Sequence, residues 1–419
     1  MKVLIVSGCV YAENCGRKSF SGLDYVVSEI AQKVGTEIDV NVYTITPYPK
    51  NCFINKIPIR SYTYRSLLKY LSVRDIAIFC RLIKKSQTSL KRAVKYIRSY
   101  LISKDVANLC KKEKFDLIHI NGADLSCLMI SLAASESNIP VLFSLHGLIS
   151  YGTPNMPKAD KEAEKTILRL SGNYDFLMTC VSTGIKSSVM ADMNISNQNI
   201  MVINNAVHFE EETNADYWYR KYPKIKGKNV VVCVGTIGKN KNQEQILRAF
   251  KMLPNDIKST TMILLAGHDT TNGEIDKIIE ENNLNNYVIK CGFLSKKEVS
   301  GLFKIASANV LLSYSEGFGL SFIEAAYFGV PSLTFEDLDA AKDIYTKESM
   351  ILLPDREDRT VANGLIEILK RQWDKSTIKR SANRFTNDIY LGYCEAYNRI
   401  NSNNSNKIML SQLKREIGI

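Results

Sequence analysis

No C-x-x-C pair, no histidine within ligand spacing of a cysteine and no long apolar run occur in this chain of 419 residues. Its ten cysteines (Cys9, Cys15, Cys52, Cys80, Cys110, Cys127, Cys180, Cys233, Cys291, Cys394) are scattered, which sets zinc ligation aside and points to reduced, cytosolic thiols. The longest charge-free stretch, 137–157, is broken by Pro140, Gly147, Gly152 and Pro154, so it cannot form a membrane-spanning helix. The apolar run from Met1 to Ser7 is too short for a secretory leader. Low-complexity segments are missing too, apart from an Asn/Ser-rich patch at 401–406 that reads as a flexible connection. With 45% hydrophobic and 23% charged residues, neither wholesale disorder nor a membrane bundle fits the composition. The expectation is a cytoplasmic enzyme.

What is present in excess is positive charge. Fifty-five Lys plus Arg against 43 Asp plus Glu leave +12, a surplus that suits phosphate-bearing partners. It is concentrated in one place. Twelve cations (Arg60, Arg65, Lys69, Arg74, Arg81, Lys84, Lys85, Lys91, Arg92, Lys95, Arg98, Lys104) face a single acid, Asp75, between residues 60 and 104. The rest of the chain is nearly neutral.

The length allows two or three cores. Short apolar, β-branched runs alternate with helical stretches, the signature of βα units building a parallel sheet. Strands are predicted at 2–7, 38–46, 117–121, 140–145, 176–182 and 200–204, and again at 229–235, 262–267, 287–292, 308–313, 330–335 and 350–353. A polar stretch at 210–228 separates the two series. The fold class expected is therefore α/β, with two doubly wound Rossmann-like domains facing a central cleft. Their predicted limits are 1–209 and 229–395, joined by a linker at 210–228, with a helical tail at 396–419 packing back on the first domain. Ligands bind such folds at the carboxyl ends of the strands, so function is sought at Gly8, Asn121, His146, Ser182, Asn205, Gly235, Gly267, Gly292 and Ser313.

The most informative string is Ser313-Tyr314-Ser315-Glu316-Gly317-Phe318-Gly319-Leu320-Ser321-Phe322-Ile323-Glu324-Ala325-Ala326, followed by Gly329-Val330-Pro331. A strand runs into a glycine-rich turn and then a helix, aiming free N–H groups and a positive helix end at the cleft, an arrangement suited to a diphosphate. Two carboxylates eight positions apart, Glu316 and Glu324, bracket that turn and are placed to grip hydroxyls. Ser321-x-x-Glu324 also reads as a capping box, in which the glutamate does purely structural work.

This string resembles the E-x7-E motif of the family 4 glycosyltransferases, retaining enzymes of the two-domain B-type fold that use nucleotide sugars. The resemblance implies that Glu316 meets hydroxyls of the donor sugar. It further implies that the amides of Gly317, Phe318, Gly319, Leu320 and Ser321 hold sugar and phosphate oxygens, and that Glu324 holds the ribose. Gly235-Thr236-Ile237-Gly238-Lys239-Asn240-Lys241 stands where the family shows G-R-L-x-x-x-K. Lys241 takes the lysine position and Thr236 replaces the arginine. Leaving-group stabilisation then rests on Lys241, with Lys239 in reserve; the alternative is a solvated loop lysine. Cys291-Gly292-Phe293 resembles the segment lying against the nucleobase, and His268 departs from the usual strand-end residue of the family.

In the first half, Ser21-Gly22 resembles the family's glycine loop, although a plain helix start fits equally. His146, in Ser144-Leu145-His146-Gly147, matches the family's H-G and is placed by the resemblance near the sugar; His119 reads as a packed residue inside a strand. Asp337-Leu338-Asp339 spells D-x-D but reads as an ordinary loop, and Asp339 to Asp343 only faintly represents the family's G-G-x-x-E. No metal or other cofactor is expected, only a nucleotide-diphosphate sugar as co-substrate.

The sequence thus reads as a hexosyltransferase that passes a sugar to a glycan or polyprenyl-linked acceptor in surface polysaccharide synthesis. A sugar-nucleotide epimerase and a non-catalytic sugar-nucleotide-binding protein are the alternatives. Apolar residues interleave with the cations of 60–104, as in one or two amphipathic helices. These suit an anionic membrane surface, hence a peripheral position on the inner face of the cytoplasmic membrane, or else form a solvated face packed on its own sheet. Nucleic acid is not expected, since no reading motif is found.

Overall fold

The structure is a computed structural model that describes residues 1–12, 15–17, 20–49, 52–85, 90–148, 157–170, 176–193, 199–209 and 212–419. The chain divides into two compact units, one of residues 1–205 with 387–419 and the other of residues 206–386.

In the first unit eight strands form one sheet in the order β3-β4-β2-β1-β5-β6-β7-β8. They are β1 (Lys2–Ser7), β2 (Asp39–Thr44), β3 (Phe53–Ile54), β4 (Ile57–Ser61), β5 (Leu117–Asn121), β6 (Val141–Leu145), β7 (Met178–Cys180) and β8 (Ile200–Val202). All pairings are parallel except the β3–β4 hairpin, which turns on Asn55 at φ 52°. Every residue of β5 and β6 is buried, as expected where helices cover both faces of a parallel sheet.

The second unit carries six parallel strands in the order β11-β10-β9-β12-β13-β14. They are β9 (Asn229–Val234), β10 (Thr261–Ala266), β11 (Val288–Gly292), β12 (Ala308–Val310), β13 (Ser332–Phe335) and β14 (Met350–Leu353). The order reverses between β9 and β12, the switch point at which doubly wound sheets leave room for a ligand beyond the strand ends.

Three sequence readings change. The predicted linker 210–228 is, over its described residues 212–228, not a spacer: helix Ala215–Lys221 inserts the fully buried Trp218 into the core of the second unit. Trp218 Nε1 donates to the Glu298 carbonyl (3.2 Å), and a Cβ on Gly301 would lie 2.9 Å from that nitrogen. The second unit ends at 386 rather than 395, because helix Gly392–Ser402 buries Tyr393 and Tyr397 in the first unit, against His119. The Asn/Ser patch is an anchor and not a flexible connection. Asn406, at φ 60°, donates to the carbonyls of Val141 and Leu177 (2.7 Å each) and accepts from the Leu177 amide (2.8 Å), stitching the tail to the start of β6 and the approach to β7.

The basic segment forms helices Tyr64–Leu68, Ile76–Lys85 and the first half of Leu90–Lys112. Its one acid is spent internally. Asp75 is buried and receives Lys104 Nζ (2.5 Å) and Tyr100 Oη (3.1 Å), which fixes the start of helix Ile76–Lys85 on the long helix.

Candidate active site

The site grows from the crossing of two strand exits. Gly235 follows β9 at φ +148° and Gly267 follows β10 at φ +152°. Gly235 N donates to the Ala266 carbonyl (2.8 Å), and Gly267 N to the Gly292 carbonyl (2.9 Å). A Cβ on Gly267 would lie 2.0 Å from the Gly235 carbonyl oxygen, so only glycine permits this approach.

The loop 236–242 leaves from this crossing and is tied down on two sides. Toward β10, Ile237 N donates to the His268 carbonyl (2.8 Å) and Thr270 N to the Ile237 carbonyl (2.9 Å). The buried Gln243 braces the loop from within, donating to the Thr236 carbonyl (3.2 Å) and accepting from Gly238 N (3.1 Å). Toward β12, Asn240 pairs with the glutamate loop through three bonds. Its carbonyl accepts from Tyr314 N (2.9 Å), its Oδ1 from Ser315 N (3.2 Å), and its Nδ2 donates to the Ser315 carbonyl (3.0 Å).

This zipper sets Lys241 against Glu316. Lys241 Nζ donates to Glu316 Oε1, the same oxygen that receives Ser313 Oγ (2.5 Å). Oε2 takes no bond among the described residues. The Glu316 side chain is only 10% exposed, so the pair is shielded far better than a surface ion pair. The stem of Lys241 runs over Gly235, where a Cβ would stand 3.2 Å from Cε.

Beyond Glu316 the backbone turns at Gly319 (φ +79°), the N-cap of helix Leu320–Tyr327. A Cβ there would meet the Phe322 ring at 2.6 Å. Phe322 N already bonds the Gly319 carbonyl (2.9 Å), while the amides of Leu320 and Ser321 are left without an intrahelical acceptor. The helix start is held from behind by Asn309, fully buried, whose Nδ2 donates to the Ser321 carbonyl (3.3 Å). Two orphan amides at a helix N-terminus thus follow, within five residues, the carboxylate that Lys241 meets, a combination that favours an anion.

Two family models account for most of the chain. Residues 37–211 match glycosyltransferase family 4, and residues 215–387 match glycosyl transferases group 1. The chain belongs to the family 4 glycosyltransferases. The transferase is 21% identical to the alpha-monoglucosyldiacylglycerol synthase of Acholeplasma laidlawii over 323 residues, 73% of this chain and 80% of the relative. Its structure resembles sucrose-phosphate synthase of Thermosynechococcus elongatus with a TM-score of 0.74 at 17% identity, covering 96% of this chain and 99% of the other. It also resembles HepE of Anabaena in complex with UDP and glucose, with a TM-score of 0.70 at 16% identity over 95% and 99% of the two chains. The fold is the two-domain B-type architecture of the glycosyltransferases.

Within the transferase's second unit, Gly235, Lys241, Glu316, Gly319, Leu320 and Ser321 come together as described. Gly292, at φ +70°, ends β11 and reaches the crossing through its carbonyl; Phe293 follows it half-buried. Thr236 points to solvent and brings no charge to the site. Gly317 is half-exposed. Phe318 is spent on packing, its ring edge-on to Phe385 at 5.6 Å, so only its backbone serves the loop. Glu324 sits half-buried one turn into the helix. The capping-box reading fails on register: Gly319 is the N-cap, without a side-chain bond, and Ser321 is the second helical residue with its Oγ buried and unpaired.

In the first unit, His146 follows β6 and its Nε2 lies 2.8 Å from Asn121 Oδ1. Asn121 Nδ2 donates to the Val6 carbonyl, which orients the amide and assigns the imidazole proton to Nε2. Nδ1 is then a buried lone pair, unpartnered among the described residues. Burial pushes His146 down to about 4, so the ring is neutral at physiological pH. His119 is enclosed in a network, with Nδ1 2.7 Å from Tyr397 Oη and Nε2 2.6 Å from Ser144 Oγ; burial, with His146 nearby, lowers it to about 3. Gly22 opens helix Gly22–Val34 as an ordinary first residue under a Ser21–Asp24 capping box. The carboxylates of the D-x-D string have local partners: Asp337 pairs with Arg356 (2.8 Å) and Asp339 with Lys342 (2.6 Å).

Sequence reading passed over Asn240, Asn309 and Arg356, and singled out Ser313 only as a strand end. Asn240, flanked by two lysines, looked like loop filler. The family motif names the residues that meet substrate, not those that hold them.

Proposed function

We propose that the transferase moves a sugar, with retention, from a nucleoside-diphosphate sugar to a glycan or lipid-linked acceptor during glycolipid or surface polysaccharide synthesis. The observation that carries this reading is the Lys241–Glu316 pair on the same loop that ends in the orphan amides of Leu320 and Ser321. Incoming diphosphate competes with Glu316 for the Lys241 ammonium. Glu316 is thereby released to accept from sugar hydroxyls, and the amides and Lys241 meet the charge that grows as the anomeric bond breaks. The acceptor oxygen bonds the anomeric carbon, the leaving diphosphate keeps the bonding electron pair, and a phosphate oxygen takes the acceptor's proton. We assign Glu324 to the ribose, Gly292 and Phe293 to the base, and the neutral His146, through Nδ1, to a substrate hydroxyl. No divalent ion is required in this scheme, since Lys241 and backbone dipoles carry the leaving group.

Nucleotide release tests it. We expect release to depend on acceptor and to persist in EDTA, with uridine diphosphate sugars heading the donor screen and diacylglycerol or polyprenyl-linked glycan the acceptor screen. Release that ignored every acceptor would overturn the transfer reading.

The basic segment supports a peripheral position on an anionic leaflet. On helix Ile76–Lys85, Ile76, Cys80 and Ile83 recur at i, i+4 and i+7, and all three are exposed. Leu68, Leu71, Val73, Leu90 and Val94 are exposed as well, and Arg65, Lys69, Arg81, Lys84 and Lys91 stand among them. An apolar patch rimmed by cations matches the lipid–headgroup boundary. Among the described residues no helix is long and apolar enough to cross a membrane. Cys80 is the one exposed cysteine of the ten and accepts an environment-sensitive dye. The dye is expected to brighten and shift to the blue on vesicles rich in phosphatidylglycerol and to stay unchanged on phosphatidylcholine alone. An unchanged spectrum on both would remove the membrane from this reading.

A further inference from the structure

Arg356 lies three residues beyond β14, far in sequence from both loops of the donor site, yet it touches the glutamate loop and reaches the lysine loop through Gln245. Its guanidinium forks onto Asp337, with Nε 2.9 Å from Oδ2 and Nη2 2.8 Å from Oδ1. Nη2 donates in addition to the Ser313 carbonyl (3.2 Å), at the root of the glutamate loop. The guanidinium carbon stands 4.2 Å from the centroid of Phe335 and 5.1 Å from that of Tyr314. Tyr314 is 59% exposed, so its ring is fixed by this cation rather than by a core. On the other side, the Arg356 carbonyl accepts Gln245 Nε2 (2.6 Å), and Gln245 Oε1 accepts Asn242 Nδ2 (2.6 Å). Asn242 follows Lys241 directly and holds a left-handed turn at φ 53°.

The side chain of this residue therefore secures the Ser313–Tyr314 backbone, and its carbonyl holds Gln245, which in turn holds the Lys241–Asn242 turn. An ion pair that only stabilised the surface would end at Asp337. The extra bond to Ser313 and the stack on Tyr314 bear on the backbone whose next polar side chains, Ser313 Oγ and Lys241 Nζ, converge on Glu316 Oε1. We propose that Arg356 is a positioning residue of the donor site: it holds the glutamate loop in register with the lysine loop, so that Glu316 and Lys241 meet the donor in the right geometry. It touches neither reacting atom. The inference rests on the reading of Lys241 and Glu316 as the donor site. A planar, forked cation is needed for the combination of two stacked rings and three acceptor contacts, which Lys cannot reproduce in full.

The test compares Arg356→Gln, Arg356→Lys, Tyr314→Ala and Asp337→Asn by kcat, donor KM and thermal midpoint. Misplacing a catalytic group by an ångström costs up to about 100-fold. Arg356→Gln is expected to lower kcat about 10- to 100-fold with donor KM nearly unchanged, and Arg356→Lys to recover part of the loss. Tyr314→Ala, at an exposed position that the fold tolerates, should lower kcat in the same direction; Asp337→Asn, which leaves the Ser313 bond intact, should not. A lowered midpoint with kcat and KM unchanged in Arg356→Gln would show a merely structural role and overturn the proposal. If Arg356→Gln fails to fold, unchanged kcat in Tyr314→Ala does the same. Loss of activity in Glu316→Ala alongside full activity in Arg356→Gln defeats this inference only, whereas full activity in both defeats the donor-site reading itself.

Discussion

Lys241→Ala is expected to lower kcat by about 100- to 1000-fold, the range seen when one preorganised electrostatic group is removed from a site of developing charge. The upper part of that range applies for a reason visible in the loop. Where the family resemblance places an arginine, the chain has Thr236, which is exposed and uncharged, so in the proposed scheme Lys241 carries a load that the resemblance shares between two cations. Glu316→Gln is expected to separate the two roles of the pair. The amide keeps the shape and can still bond a hydroxyl, but it no longer neutralises the ammonium. Donor affinity should hold or rise, because diphosphate no longer competes with a carboxylate for Lys241, while kcat falls. Single-turnover transfer and donor titration read these apart. Full transfer by Lys241→Ala would transfer the leaving-group role to the helix amides alone.

The parts of this site that sequence made legible are those governed by short-range rules. Strands β9, β10 and β11 begin and end within a residue or two of their predicted limits, because a strand buried on both faces must be a continuous apolar run. Lys241 and Glu316 were recognisable from spacing to Gly235 and from the glycines that follow Glu316. Contact between them was not, since 75 residues separate the partners and the bonds that join them come from Asn240, an unremarkable loop residue. Arg356 reaches Ser313 across 43 positions by the same kind of closure. The β3–β4 hairpin escaped because β3 is two residues long and β4 contains Pro58, a residue confined to sheet margins. At Ser321 a local rule misled: the capping-box pattern is satisfied in sequence, but a left-handed Gly319 starts the helix two residues earlier. Asn406 shows the converse, a polar patch whose side chain finds three backbone partners inside a sheet.

Gly267→Ala is expected to cost about 3–5 kcal/mol, or to prevent folding of the second unit, because its methyl group would strike backbone. The added carbon would sit 2.0 Å from the Gly235 oxygen and 2.5 Å from its carbonyl carbon, and neither can rotate away as a side chain would. Relief requires parting the exits of β9 and β10, which breaks the 2.8 Å bond from Gly235 N to the Ala266 carbonyl and the 2.9 Å bond from Gly267 N to the Gly292 carbonyl. Gly273→Ala is the control. Gly273 is also left-handed, at φ +88°, but a Cβ there meets nothing within 4 Å, so the cost reduces to backbone strain of about 1 kcal/mol. Both tryptophans of the chain, Trp218 and Trp373, lie in the second unit, so their fluorescence during urea unfolding reports that unit alone. If the two alanine variants unfolded at the same urea concentration, the crossing of the two glycine backbones could not be the support on which the Lys241 loop rests. If Gly267→Ala folded but lost donor binding while Gly273→Ala kept it, the crossing would be tied to the geometry of the site as well as to stability.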